Sequence, residues 1–139
     1  SGGSCETVSQ DLLERIPYAR FLGLESRMDD GVLTVVMPFA DHLIGNPLLP
    51  ALHGGSTAAL LELTAVAQVA LAYPRLHLPR PINSTVSYLR SGRPEPVHCR
   101  ARILRAGRRV AHVTAEAWQD DPDQPIAGLT ANFLLADTD

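Results

Sequence analysis

Between Pro50 and Ala72 the sequence reads Pro-Ala-Leu-His-Gly-Gly-Ser-Thr-Ala-Ala-Leu-Leu-Glu-Leu-Thr-Ala-Val-Ala-Gln-Val-Ala-Leu-Ala, the one stretch of the chain that predicts a long apolar helix. From Ser56 onward it holds no Gly or Pro and one charge, Glu62. Ala, Leu and Val spread around all sides predict a helix buried nearly all round rather than an amphipathic surface helix. Its seventeen residues fall short of a membrane span. A chain of 139 residues is long enough for one real core, and burying this helix fully calls for a partner subunit as well.

Immediately ahead of the helix stand His53, Gly54 and Gly55. His53 can give or take a proton, and two residues without a β-carbon let a ligand approach the backbone closely. The free N–H groups and positive dipole end of a helix start suit an anion or a developing oxyanion. Glu62 lies two turns further on, about 10 Å along the axis. One helix therefore cannot bring its own Glu62 to its own N-terminus.

The rest of the chain reads as strands and turns around a second, shorter helix. Val8, Leu12, Leu13 and Ile16 give residues 6–16 a helical spacing that Pro17 ends. Residues 21–28 and 32–37 are strands joined around Asp29-Asp30-Gly31. Residues 39–52, with two prolines, His42 and Asn46, form an ordered loop into the helix. After the connector 74–81 come a strand over 82–90, a turn over 91–96 and two alternating strands at 97–103 and 111–117. Matching their apolar faces requires an odd-length loop. Ala106-Gly107-Arg108, with Gly107 at φ > 0, meets that need and sets Arg102 opposite His112 and His98 opposite Glu116. A polar turn over 120–125 leads to a last strand that ends at Leu135. The element order predicts an α+β fold, an antiparallel sheet around one helix.

Composition narrows the function classes. A net charge of −3 gives no footing for nucleic acid or an acidic membrane. All twelve cations are arginine, and seven of them fall between Arg90 and Arg109. Two cysteines, Cys5 and Cys99, make no disulfide framework, so a reducing, cytoplasmic setting is expected. Ser1 to Ser4 read as an appended remnant and 5–139 as a single domain. Nucleotide-loop motifs, Cys-x-x-Cys and metal-ligand spacing are lacking in the sequence.

His-Gly-Gly followed by a long apolar helix carrying an acid, as His53, Gly54, Gly55 and Glu62 are placed, resembles the hotdog-fold acyl-CoA thioesterases, in particular their phenylacetyl-CoA-thioesterase-like branch. The likeness spans roughly Phe21 to Leu135. It implies an antiparallel sheet wrapped around the central helix, and subunits paired edge to edge as a dimer or dimer of dimers. The acid of one subunit then faces the helix start of the other. Glu62 becomes the general base or nucleophile on a thioester. Gly55, with Gly54, offers N–H groups to the carbonyl oxygen; His53 orients the thioester. Asn46 corresponds to an Asn that contacts the thioester or water, at a spacing one residue longer. Among Asn83, Ser84, Thr85 and Ser87, Asn83 is taken to hold the attacking water. Arg90, Arg108 and Arg109 are assigned to the phosphates of coenzyme A, whose oxygens guanidinium forks match, whereas Arg100 and Arg102 are read as solvated surface. No metal or redox cofactor is implied, coenzyme A entering as part of the substrate.

Two other readings share the fold. A 3-hydroxyacyl thioester dehydratase would pair His42 with Glu62 or Gln68, but twenty residues separate His42 from Glu62 and the Phe-Pro-Gly loop of that family is missing. A non-catalytic acyl-CoA or acyl-carrier binding module would keep the scaffold without the chemistry.

Overall fold

The computed structural model describes residues 24–29, 32–38, 49–73, 79, 81–90, 92–93 and 95–135, with backbone alone at 29 and 49–54. Their order is β1 (Glu25–Asp29), β2 (Val32–Met37), α1 (Leu49–Ala72), β3 (Pro81–Tyr88), β4 (Val97–Ala106), β5 (Val110–Trp118) and β6 (Ala127–Leu134). The strands make one six-stranded sheet in the order β1-β2-β4-β5-β6-β3. Every neighbouring pair is antiparallel. The helix thus carries the chain from beside one sheet edge to the other. The expected helix over 6–16, most of the 39–52 loop and the 74–78 connector lie outside the described residues.

Alternation along each strand decides which sheet face meets the helix. Leu33 and Val35 of β2, Val97 and Cys99 of β4, Val113 of β5 and Phe133 of β6 are fully buried, as are Leu60, Leu61 and Val69 of α1. Alanines at 101, 111, 115, 117, 127 and 131 fill much of the remaining inner face. Such short side chains let a helix lie close to the sheet. Burying each leucine of α1 contributes about 1.5–3 kcal/mol.

The helix differs from its expected form in two respects. It starts at Leu49, seven residues before Ser56, because Pro50 falls in the first turn, where its missing N–H breaks no bond. It is also not buried all round: Gly55, Glu62 and Ala72 are exposed, and Ala59, Leu63 and Ala70 half-buried. Against the expectation of a helix too short for a membrane span, the eighteen residues Gly55–Ala72 are long and apolar enough to cross a bilayer by length and composition, yet 44% of them are buried within this fold. The sheet covers one side of the helix and leaves the other uncovered.

The β4–β5 hairpin keeps the expected facing by another route. Ala101 pairs with Ala115 and Ile103 with Val113, so apolar meets apolar, but Arg102 stands opposite Thr114 and His98 opposite Trp118. That register is two residues from the expected one. Gly107 N–H donates to the Val110 carbonyl at 2.9 Å, which leaves Arg108 and Arg109 as a two-residue turn. Gly107 does not take a left-handed φ. An even loop alone would set apolar against polar, and a one-residue bulge between Ile103 and Arg105 restores the parity.

Candidate active site on the uncovered helix face

Gly55 and Glu62 are both exposed, and seven residues at about 100° each return to within about 20° of the same direction. They therefore lie on one face of α1, about 10 Å apart along the axis. A β-carbon added at Gly55 would meet nothing within 4 Å, so the space over it is open. A helix buried nearly all round would have enclosed Glu62. In the single chain its face of the helix has no sheet over it, and Glu62 is exposed.

Because α1 begins at Leu49, Gly54 and Gly55 are its sixth and seventh residues rather than its start. The N–H groups left open by the helical pattern are those of the first turn, not that of Gly55. Two adjacent glycines weaken the ladder at that point by about 1 kcal/mol each relative to alanine. His53 is in the same turn, with backbone alone described, and Asn46 lies outside the described residues.

Strand register decides among the four polar residues of β3. Asn83 pairs with Asn132 and Ser84 with Ala131. Ala131 belongs to the buried inner face, so Ser84 shares the helix side and Asn83 points to the outer side. There Asn132 Nδ2 donates to Asn83 Oδ1 at 2.9 Å, and His112 Nδ1 meets Asn132 Oδ1 at 2.9 Å. Asn83 thus ends a polar ladder on the face away from Glu62. The alternation of buried Ala127, Leu129 and Ala131 in β6 was the signal that could have selected Ser84.

The arginines clustered in sequence are dispersed in space. Arg90 N–H donates to the Ile126 carbonyl at the start of β6, whereas the Arg109 carbonyl accepts from Leu135 N–H at its end. Nine residues of extended chain put about 30 Å between Arg90 and the Arg108–Arg109 turn. Arg93 is committed to Asp120 and to Glu95 at 3.5 Å. Arg100 is not plain solvated surface: its guanidinium lies 5.2 Å from the Trp118 ring.

Cys99 is an inert thiol. Burial raises its pKa to about 12, against smaller lowering by hydrogen bonding with the Thr64 side chain and the Arg100 backbone. Thr64 in turn donates to the Leu60 carbonyl at 2.7 Å. This cluster pins helix to sheet and leaves no thiolate for chemistry.

One helix laid on a six-stranded antiparallel sheet, with an acid and a glycine on its open face, is the architecture of the hotdog proteins. Residues 46–134, more than half of the chain, match the acyl-CoA thioesterase N-terminal domain family, and the chain belongs to that family. Among solved structures, a Pseudomonas aeruginosa protein shares 26% identity over 94% of this chain and 98% of its own, with a TM-score of 0.81. A phenylacetic acid degradation-related protein of Ralstonia eutropha JMP134 shares 26% over 91% and 98%, with a TM-score of 0.73. A Bacillus halodurans protein solved with CoA has the same fold at 23% identity, covering 98% of this chain and 91% of that one, with a TM-score of 0.74. No curated protein matches the sequence.

Proposed function

We propose that this protein is an acyl-CoA thioesterase that hydrolyses an acyl-coenzyme A thioester to the free acid and CoA, working in the cytoplasm as a homodimer or dimer of dimers. The observation that carries this reading is the shared open face of Gly55 and Glu62. A general base and an oxyanion donor must both lie within about 3 Å of the reacting centre, so residues 10 Å apart on one helix serve two different centres. Two antiparallel helices set Gly55 of one subunit against Glu62 of the other.

Glu62 of the partner subunit takes a proton from water as its oxygen adds to the thioester carbonyl. Gly55 N–H, which has to leave its helical bond at the weakened glycine pair to do so, and His53 polarise that carbonyl. The tetrahedral intermediate collapses with cleavage of the C–S bond, the thiolate of CoA leaves, and the proton passes back to the sulfur. Direct attack by Glu62 would instead form an anhydride that water opens. Ser84, on the helix side of β3, holds the water in place of Asn83; Asn46, which precedes the helix in sequence, contacts the thioester. Neither route calls for a metal or a redox cofactor. Antiparallel pairing of the β3 edges brings Arg90 to the end of the sheet where the partner subunit's Arg108 and Arg109 lie, which joins the separated phosphate ligands. The bound CoA of the Bacillus halodurans neighbour and the phenylacetic acid link of the Ralstonia eutropha one support a CoA thioester, with aryl acyl groups to be tried first.

Thiol release from a panel of aliphatic and aryl acyl-CoAs tests this directly. Wild type is expected to turn over several substrates, and Glu62→Gln to lose about a hundredfold or more in kcat, the scale of a removed general base. Binding of acyl-CoA without thiol release by either protein would overturn the reading in favour of the binding module.

A further inference from the structure

On the outer face of the sheet, away from the helix, a groove of about 510 Å³ opens over β4 and β5. Both signs of charge line it, Arg100 and Arg102 against Glu116 and Asp123. Arg100 stands directly opposite Glu116, and Arg102 opposite Thr114. Neighbours this close on paired strands ordinarily form cross-strand ion pairs. Among the described residues, however, the ion pairs of this region belong to Arg93; none joins the four groove residues. Arg100 is held elsewhere, over Trp118, and its buried Nε finds no hydrogen-bond partner. The Oγ1 of Thr34, its neighbour across β2, is likewise buried and unpartnered. An unmet buried donor is costly, and the Arg100 side chain that carries it also lines the groove. Val32 and Pro122 give the same groove an apolar wall.

We propose that this groove is a second binding site, separate from the helix face, for a zwitterion of about dipeptide size. Its carboxylate meets Arg100 and Arg102, two residues and about 7 Å apart along β4. Its ammonium meets Glu116 and Asp123, and its apolar side chain lies against Val32 and Pro122. A simple anion would face two carboxylates, and a simple amine two guanidinium groups. The volume lies within the range of small-ligand pockets, about 300–1,000 Å³.

Trp118 is the only tryptophan in the chain, so its indole N–H gives a single, assignable NMR signal beside the groove. Titration with L-leucyl-L-leucine is expected to move it saturably. The N-acetylated dipeptide, lacking the ammonium, and the C-terminal amide, lacking the carboxylate, are each expected to bind at least about tenfold more weakly, the effect of one lost charge-assisted contact. Glu116→Gln should abolish the preference over the acetylated form, and Arg102→Gln the preference over the amide. Both side chains are exposed, so neither variant should disturb folding. A signal that never saturates, or blocked dipeptides that bind as tightly as the zwitterion, would overturn the proposal.

Discussion

His98 lies half-buried on the outer face, its ring stacked on Trp118 at 5.8 Å between centroids. Burial, and secondarily the charge of Arg27, lower its pKa from 6.5. A histidine easier to protonate unfolded than folded takes up a proton on unfolding at mildly acidic pH, so stability falls as pH drops below about 6.5 through the lowered value, and is complete above it. His98→Gln should flatten that acid-side loss in urea titrations run from pH 7 to 5; an unchanged slope would place the acid sensitivity elsewhere. Glu62 stands out in the sequence as a candidate because it is the one charge in the otherwise uncharged stretch from Ser56 to Ala72. Asn83 was misplaced because composition does not reveal which side of a strand a residue takes. Register does, through its neighbour Asn132. The arginine cluster was misleading for a related reason: a strand turns twenty residues of sequence into opposite ends of a sheet.

At the scale of elements, the order of strands and helices follows from periodicity, since buried alternation and turn residues leave few other arrangements. The hairpin shows the limit. Facing parity is imposed by the core and could be inferred; whether a loop or a bulge supplies it depends on local backbone preference that side-chain pattern does not encode. Deletion of Leu104, the bulge residue, should therefore leave Ile103 opposite Val113 and the two-residue turn in place, with a stability change of at most about 1 kcal/mol, as for surface changes. Cross-strand NOEs between Ile103 and Val113 would report this, and their loss would mean that the bulge itself holds the register. The early helix start was hidden by two prolines and a glycine in 39–50 that read as loop, although Pro50 is compatible with a first turn.

For the whole molecule, two surfaces among the described residues lie open to another chain. One is the Gly55–Glu62 face of α1. The other is β3, an edge strand with Ile82 56%, Tyr88 59% and neighbouring Leu89 58% exposed. An open, apolar edge invites pairing with another chain, and a second copy joined there brings a second helix to the first. The apolar helix in so short a chain predicts a partner subunit, and the sheet, having taken one side of the helix, leaves the Gly55–Glu62 side for it. The most direct test of a shared site is complementation between two inactive variants. Glu62→Gln removes the base, and Gly55→Trp puts an indole into the space over the glycine, where an added β-carbon meets nothing within 4 Å. Heterodimers of the two, isolated through different affinity tags after co-expression, keep one intact site of two, and are predicted to show about half the wild-type rate of acyl-CoA hydrolysis on the general-base mechanism. Heterodimers as inactive as their parents would contradict a site built from Gly55 of one subunit and Glu62 of the other.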